Sequence, residues 1–276
     1  MDTEVDVIEF RVPTENSKTL FIWDISAAFS AAHVYESLWS FFSRFGAIYW
    51  LKVSPHAAVA RPAFSAVVKF YSAAQASRAQ RGASEEPLFH KSPLKVRLCT
   101  KQYPADFHNI RPLSVTKCQQ LANYYLGFNG WSSRVVTLKS ICDNDDCGEP
   151  QTCTVLKYGC IVELNFPLHA VRCRGVGVTE ETFEQNPGPE ELCVKRGELQ
   201  KRARDRAMVD AFRKVLLVVL GNGKVAVECR LDPEEMIPDE ELEGLVKVND
   251  ISWSRFECEE EDDNFADLNL DFSHFS

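Results

Sequence analysis

Between Lys18 and Leu98 the apolar residues run through six segments that alternate between a period of two and a period near 3.6, and that order limits the accessible folds more than any other feature of the chain. Lys18–Ile25, Ile48–Val53 and Leu94–Leu98 are short strands, and Phe64–Phe70 alternates Phe64, Ala66, Val68 and Phe70 with Ser65, Val67 and Lys69. Val34–Phe45 sets Val34, Leu38, Phe41, Phe42 and Phe45 at helical spacing and stops at Gly46, while Ala73–Arg81 is an Ala-rich helix stopped by Gly82. The resulting order is βαββαβ. It predicts an α+β domain over residues 16–100 in the split βαβ, ferredoxin-like arrangement, with both helices on one sheet face.

Many unrelated functions use that arrangement, so the residues have to sharpen it. Leu20-Phe21-Ile22-Trp23-Asp24-Ile25 resembles the six-residue box of the RNA-recognition-motif (RRM) family, and Phe42-Ser43-Arg44-Phe45-Gly46-Ala47-Ile48 resembles the end of that family's first helix. The eight-residue box falls at Ala63–Phe70, where Ala66, Val68 and Phe70 match but the two stacking positions hold Ser65 and Val67. Strand alternation puts Phe21, Trp23 and Lys69 on the face away from the helices, with Tyr49 or Trp50 and Lys52 within reach. The resemblance implies base stacking on Phe21 and Trp23 and phosphate contact by Lys52 and Lys69. Half the aromatic platform is missing, so binding through this face is expected to be weak and poorly sequence-specific. The rival reading has the same face covered by the second domain or docked on a protein.

Lys101–Pro112 is polar, contains Pro104 and Pro112, and reads as a linker (101–112) before a second domain over 113–231. Ser114 is a candidate N-cap for a helix through Leu126 that ends at Gly127; strands follow over Ser133–Ile141, Cys153–Phe166 and Val171–Val178, and then a long helix from about Gly197 to Val219. Leu121-Ala122-Asn123 with Gly127-Phe128-Asn129-Gly130-Trp131 resembles the helix-to-strand signature of the Rad-fifty-two strand-annealing family, and Gly175-Val176-Gly177-Val178 resembles a later strand of it. The resemblance covers most of 113–225 and implies antiparallel strands followed by a long basic helix.

On a helical wheel Arg202, Arg206 and Arg213 fall within about 40° of one another, opposite Ala207, Met208, Ala211, Val215 and Val219. Arg213-Lys214 occupies the place of a basic pair that lines the family's single-strand groove. Arg202, Arg206, Arg213 and Lys214 are therefore the expected backbone contacts, giving sequence-independent, salt-sensitive binding. The alternative is a solvated helix face partly neutralised by Asp205 and Asp210. The family also implies homo-oligomers.

The net charge of −9 hides this distribution. Residues 232–276 hold 16 acids against Lys247 and Arg255, whereas the other 231 residues hold 29 basic and 24 acidic side chains. The tail is expected to be mobile and solvating; its Phe265, Leu268, Leu270, Phe272 and Phe275 set among acids suggest folding onto a partner, or competition with nucleic acid for the protein's own basic surface. The ten cysteines, in a chain without a signal peptide, read as thiols, and Cys142, Cys147, Cys153 and Cys160 lack the short knuckle spacing of common zinc sites. No run of apolar residues reaches bilayer length, so no membrane partner is expected.

A phosphate loop, an H-E-x-x-H pair and a nucleophile elbow are all lacking, and the six histidines are scattered. The expectation is a non-enzymatic protein without a cofactor. By resemblance it binds single-stranded DNA, with duplex DNA and RNA as further ligands, in recombinational repair and the DNA-damage response. Nuclear residence, with nucleolar and cytoplasmic pools, follows from the family, and the basic run Lys195–Arg206 could also be read as an import signal. The other classes left open are a protein-docking adaptor and an RNA-processing factor that uses only the first domain.

Overall fold

In the computed structural model, residues 5–56, 63–89, 93–99, 111–141, 154–183 and 188–230 are described. The chain divides into two compact units, the first comprising Met1–Pro112 with Val218–Lys224 and the second Leu113–Leu217 with the described residues from Val225 onward. Most of the 101–112 linker, Cys142, Cys147 and Cys153, and the 232–276 tail lie outside the described residues. Among the described residues no helix is long and apolar enough to cross a membrane.

The first unit opens with a strand that the sequence reading did not include, β1 (Val5–Glu9). It then runs β2 (Thr19–Ser26), α1 (Ala31–Phe42), β3 (Ile48–His56), β4 (Ala63–Phe70), α2 (Ala73–Glu85) and β5 (Lys95–Leu98). These last four strands pair in the order β3-β4-β2-β5, all antiparallel, which is the split βαβ arrangement. The core between sheet and helices holds Leu20, Ile22, Ile25, Val34, Leu38, Phe42, Val68 and Phe70. Simple alternation would turn Ile25 outward from Ile22. A register shift between them, with Asp24 at φ 63°, supplies the odd residue that returns Ile25 to the core.

Three helix boundaries of this unit differ from the sequence reading: α1 ends at Phe42 rather than Phe45, and the other two differ for identifiable reasons. Ser30 accepts a hydrogen bond from the His33 amide and starts α1 three residues early. Gly82 does not stop α2, which continues to Glu85; its role is clearance, since a Cβ there would stand 2.4 Å from Cζ of Phe45.

The second unit runs α3 (Val115–Leu126), β6 (Ser132–Ser140), β7 (Thr154–Phe166), β8 (Val171–Phe183) and α4 (Pro189–Arg213). Ser114 caps α3 through the Lys117 amide and Gly127 ends it at φ 75°, both as its sequence predicts. The strands form one antiparallel sheet in the order β6-β7-β8. Helix α4 crosses β8 at backbone distance because Gly175 and Gly177 face it. A Cβ on Gly175 would lie 2.2 Å from the Ala211 amide nitrogen, and one on Gly177 2.2 Å from the Ala203 carbonyl oxygen. Leu199, Ala203, Ala207 and Ala211 are fully buried along that contact.

The long helix is shifted from the expected 197–219. It begins at Pro189, with proline at the first helical position and Glu190 and Glu191 in the first turn, a favourable start for the peptide dipoles. It ends at Arg213. Val215 and Val219, expected on the helix's apolar side, lie instead in strand β9 (Val215–Leu220), because the run Val-Leu-Leu-Val-Val-Leu is rich in β-branched residues. Gly223 at φ 81° then turns the chain into β10 (Val225–Cys229).

Candidate nucleic-acid interface

In the first unit the strand register gathers the expected side chains. Lys52, Val67, Phe21 and Arg97 form one row across the sheet, and Trp50, Lys69 and Thr19 the next. Phe21 and Trp23 are stacked at 5.9 Å, with the Arg97 guanidinium over both rings at 5.6 and 5.4 Å. The expected open platform is nonetheless corrected. Phe21 is only 4% exposed, and Ser65, Val67 and Thr19 beside it are buried, so this ring has no face to offer a base. Trp23, Lys52 and Lys69 are partly exposed around that closed centre.

The basic stripe of α4 is corrected as well. Antiparallel pairing to β7 leaves the outer edge of β8 with backbone groups that need partners. Three side chains one helical turn apart supply them. Arg206 donates to the Val178 carbonyl oxygen at 2.8 Å, Asp210 accepts from the Val176 amide at 3.0 Å, and Lys214 donates to the Arg174 carbonyl oxygen at 3.2 Å. Lys214 also pairs with Asp210 at 3.1 Å. Arg202 lies 3.4 Å from Glu181 and 3.8 Å from Glu198, carboxylates it shares with Lys195. Arg206 and Lys214 thus close a sheet edge, Arg202 faces two acids, and of the four predicted contacts Arg213 alone is exposed without a partner among the described residues.

The sheet itself carries a cluster that the helix-centred reading missed. Cys173, Gly175, Gly177 and Thr179 lie on the strand face turned to the helices; Cys173 and Thr179 donate to the Ala211 and Leu199 carbonyls. Alternate residues face the other way. At the end where β6 begins, two adjacent rows on that face read Ser132–Asn165–Arg172 and Arg134–Glu163–Arg174. Glu163 is 3% exposed and accepts from Arg134 at 2.8 Å and Arg174 at 2.9 Å, one arginine on each neighbouring strand. Burial alone would raise the Glu163 carboxyl, but the hydrogen bonds and charges of both arginines bring it below its ordinary value. Arg172 is exposed and has no partner among the described residues. Two guanidinium groups therefore hold one buried carboxylate, and a third, that of Arg172, stands exposed in the adjacent row.

The turn that leads into these rows presents Phe128, 85% exposed, and Tyr124 stands exposed on the last turn of α3. The turn is well anchored. Trp131 donates its indole N–H to Asn123 at 2.8 Å and meets Phe212 edge-on at 5.3 Å. Cys160, read from the sequence as a plain thiol, lies buried between sheet and helices, where burial pushes its thiol up to about 11; Cys142, Cys147 and Cys153 fall outside the described residues.

The α-β-β-β-α order of this unit coincides with a family match. The family model described as the RDM1 DSRM domain covers residues 113–216. Over nearly the whole chain, RAD52 motif-containing protein 1 of Danio rerio is 53% identical, with 99% of this chain and 100% of that protein aligned. The chain belongs to the RAD52 motif-containing protein 1 family. The Homo sapiens member is 41% identical over 98% of this chain and 97% of its own length. A solved structure, the Mip6 RRM3 domain, is 18% identical and covers 32% of this chain and 98% of that one, with a TM-score of 0.26.

Within this family member the Phe128–Trp131 turn and the Gly175/Gly177 strand, the two places that carried the resemblance in the sequence, do different jobs. The glycines admit α4, and the turn anchors its tryptophan while exposing its phenylalanine. The arginine rows had a readable signal: Arg172 and Arg174 stand two apart in an expected strand, which puts them on one face.

Proposed function

We propose that this protein is a non-enzymatic nucleic-acid-binding protein of recombinational repair and the DNA-damage response, resident in the nucleus with nucleolar and cytoplasmic pools, whose second unit prefers single-stranded DNA. The observation that carries the proposal is the pair of rows in which Arg134 and Arg174 share one carboxylate while Arg172 stands exposed without a partner among the described residues, reached through a turn that exposes Phe128. Guanidinium groups on a sheet contact phosphates without reading sequence. An exposed phenylalanine can stack only on a base that has left its own stack, which favours a single strand over a duplex. The family name and the RAD52 motif support the repair role, and RNA is a ligand of the same chemistry. The DSRM description favours duplex as the competing ligand form.

The test is anisotropy with labelled single-stranded DNA, duplex DNA and single-stranded RNA of equal length, using the full chain across a salt series. Arg172→Ala is expected to reduce the slope of log affinity against log salt by about 0.7 for each single-strand phosphate that the arginine neutralises. Phe128→Ala is expected to weaken single-strand binding by about 1–3 kcal/mol while leaving the slope alone. Unchanged binding in both variants would overturn the assignment, and a preference for duplex would overturn the strand choice.

One observation favours an additional docking role for the first unit. Tyr35 and Trp39, stacked at 6.2 Å, stand exposed on α1, and the sheet face that an RRM would use is closed at its centre. In that reading the first unit binds protein, and Tyr35→Ala with Trp39→Ala leaves nucleic-acid affinity unchanged.

A further inference from the structure

Cys173 and Cys229 approach each other from different strands. Cys173 lies on β8, is buried, and donates its Sγ–H to the Ala211 carbonyl oxygen at 3.3 Å in the last turn of α4. Cys229 closes β10, which packs against β8, and its thiol neighbours that of Cys173. The end of β10 is held in place by the Arg230 amide, which donates to the Lys214 carbonyl oxygen at 2.7 Å. Lys214, the cation that completes the β8 edge, carries its charge beside both thiols, and its ammonium is itself fixed by Asp210 and the Arg174 carbonyl. The two sulfurs differ in access: Cys173 is sealed beneath α4, whereas Cys229 is partly exposed.

We propose that Cys173 and Cys229 form a peroxide-sensitive thiol pair that closes to an intramolecular disulfide between β8 and β10. The chemistry follows from their unequal surroundings. The neighbouring Cys173 thiol and the charge of Lys214 favour the Cys229 thiolate, and the one S–H of Cys173 turns from the Ala211 carbonyl to that thiolate as it forms; that pairing and burial keep Cys173 protonated. The Cys229 thiolate attacks a hydroperoxide, taking one oxygen to become a sulfenic acid and releasing water or an alcohol once the leaving oxygen is protonated. Cys173 then attacks the Cys229 sulfur, the S–S bond forms, and the sulfenic oxygen leaves as a second water. Two thiols are oxidised, one peroxide is reduced, and two hydrogens leave the protein. The product fastens β10 to the sheet and removes the hydrogen bond from Cys173 to Ala211.

The full-length protein, fully reduced, is exposed to a small molar excess of hydrogen peroxide, quenched by alkylation and digested without reductant. The expected result is a linked peptide pair carrying Cys173 and Cys229, lighter by two hydrogens and lacking both alkyl groups. The exposed Cys193 serves as a control for plain accessibility and stays outside any internal link. In Cys173→Ser the oxidised Cys229 has no second sulfur and is captured by a dimedone probe as its sulfenic adduct; in Cys229→Ser residue Cys173 remains a free thiol. Because the decisive measurement is made on the unsubstituted chain, a folding defect in either variant leaves it intact. No linked pair in the native chain, or linkage of either cysteine to other partners with equal yield, overturns the proposal.

Discussion

Replacing Gly177 by alanine tests the packing on which the second unit depends. The added Cβ would stand 2.2 Å from the Ala203 carbonyl oxygen and 2.3 Å from the Ala207 amide nitrogen, both backbone, so no side-chain rotation relieves the contact. Ordinary Cβ contacts begin near 3.4 Å, so α4 has to retreat by about 1 Å, a gap that forfeits up to half of the dispersion well for each atom pair it opens. Overpacking of this kind costs about 3 kcal/mol when neither side yields. The retreat also stretches the bonds from Arg206, Asp210 and Lys214 to the edge of β8, each worth about 0.5–1.5 kcal/mol net. A total of about 3–5 kcal/mol is a large part of the roughly 5–15 kcal/mol that holds a domain folded. The assay is urea unfolding of the full chain followed by circular dichroism, with hydrogen exchange at the Val176 amide as the local readout. Gly197→Ala is the internal control: it lies in the same helix with nothing within 4 Å of its missing Cβ, and there alanine should stabilise by about 0.8–1 kcal/mol. A loss below about 1 kcal/mol for Gly177→Ala, within the range of an unremarkable substitution, would refute the reasoning.

Other consequences follow from the same geometry. Glu163 has a folded-state value below its ordinary 4.5, so its contribution is present above that pH and is lost as pH falls through the lowered value; Glu163→Gln should flatten the acid limb of a stability-against-pH curve, and an unchanged limb counts against the Arg134–Glu163–Arg174 link. Phe21→Ala should cost about 3–5 kcal/mol of stability because the ring is buried; a folded variant with normal stability and selectively lost RNA binding would restore the open-platform reading. Arg206→Ala should destabilise by about 1–3 kcal/mol by orphaning an edge carbonyl, whereas Arg213→Ala should stay within about 0.5 kcal/mol; equal losses would dissolve the distinction drawn between them. Ser114→Ala should lower stability by about 1 kcal/mol through loss of the α3 cap, which thermal melting of the full chain can read.

Much of the secondary structure was legible because it rests on local chemistry. The strand and helix periods of the first unit, the Ser114 cap and the Gly127 stop each depend on residues within a turn or two, and they appear where the local pattern places them. The C-terminal boundary of α4 was misplaced for an equally local reason. Val215–Leu220 also fits a helical apolar stripe, and its β-branched content followed by Gly221-Asn222-Gly223 was the better signal.

The candidate site was legible only in its ingredients. Sequence alone determined most of the strands and helices, that residues 1–231 carry more basic than acidic side chains, and that an aromatic turn precedes the β6 strand, since periodicity, charge and turn chemistry are local properties of the chain. It was the tertiary structure that decided what each cation does. Arg206 and Lys214 were recruited to satisfy the open edge of β8, and Arg134 and Arg174 were drawn from separate strands onto one buried carboxylate, because hydrogen-bond demand at a sheet edge and charge balance across a sheet exist only once distant strands are in register.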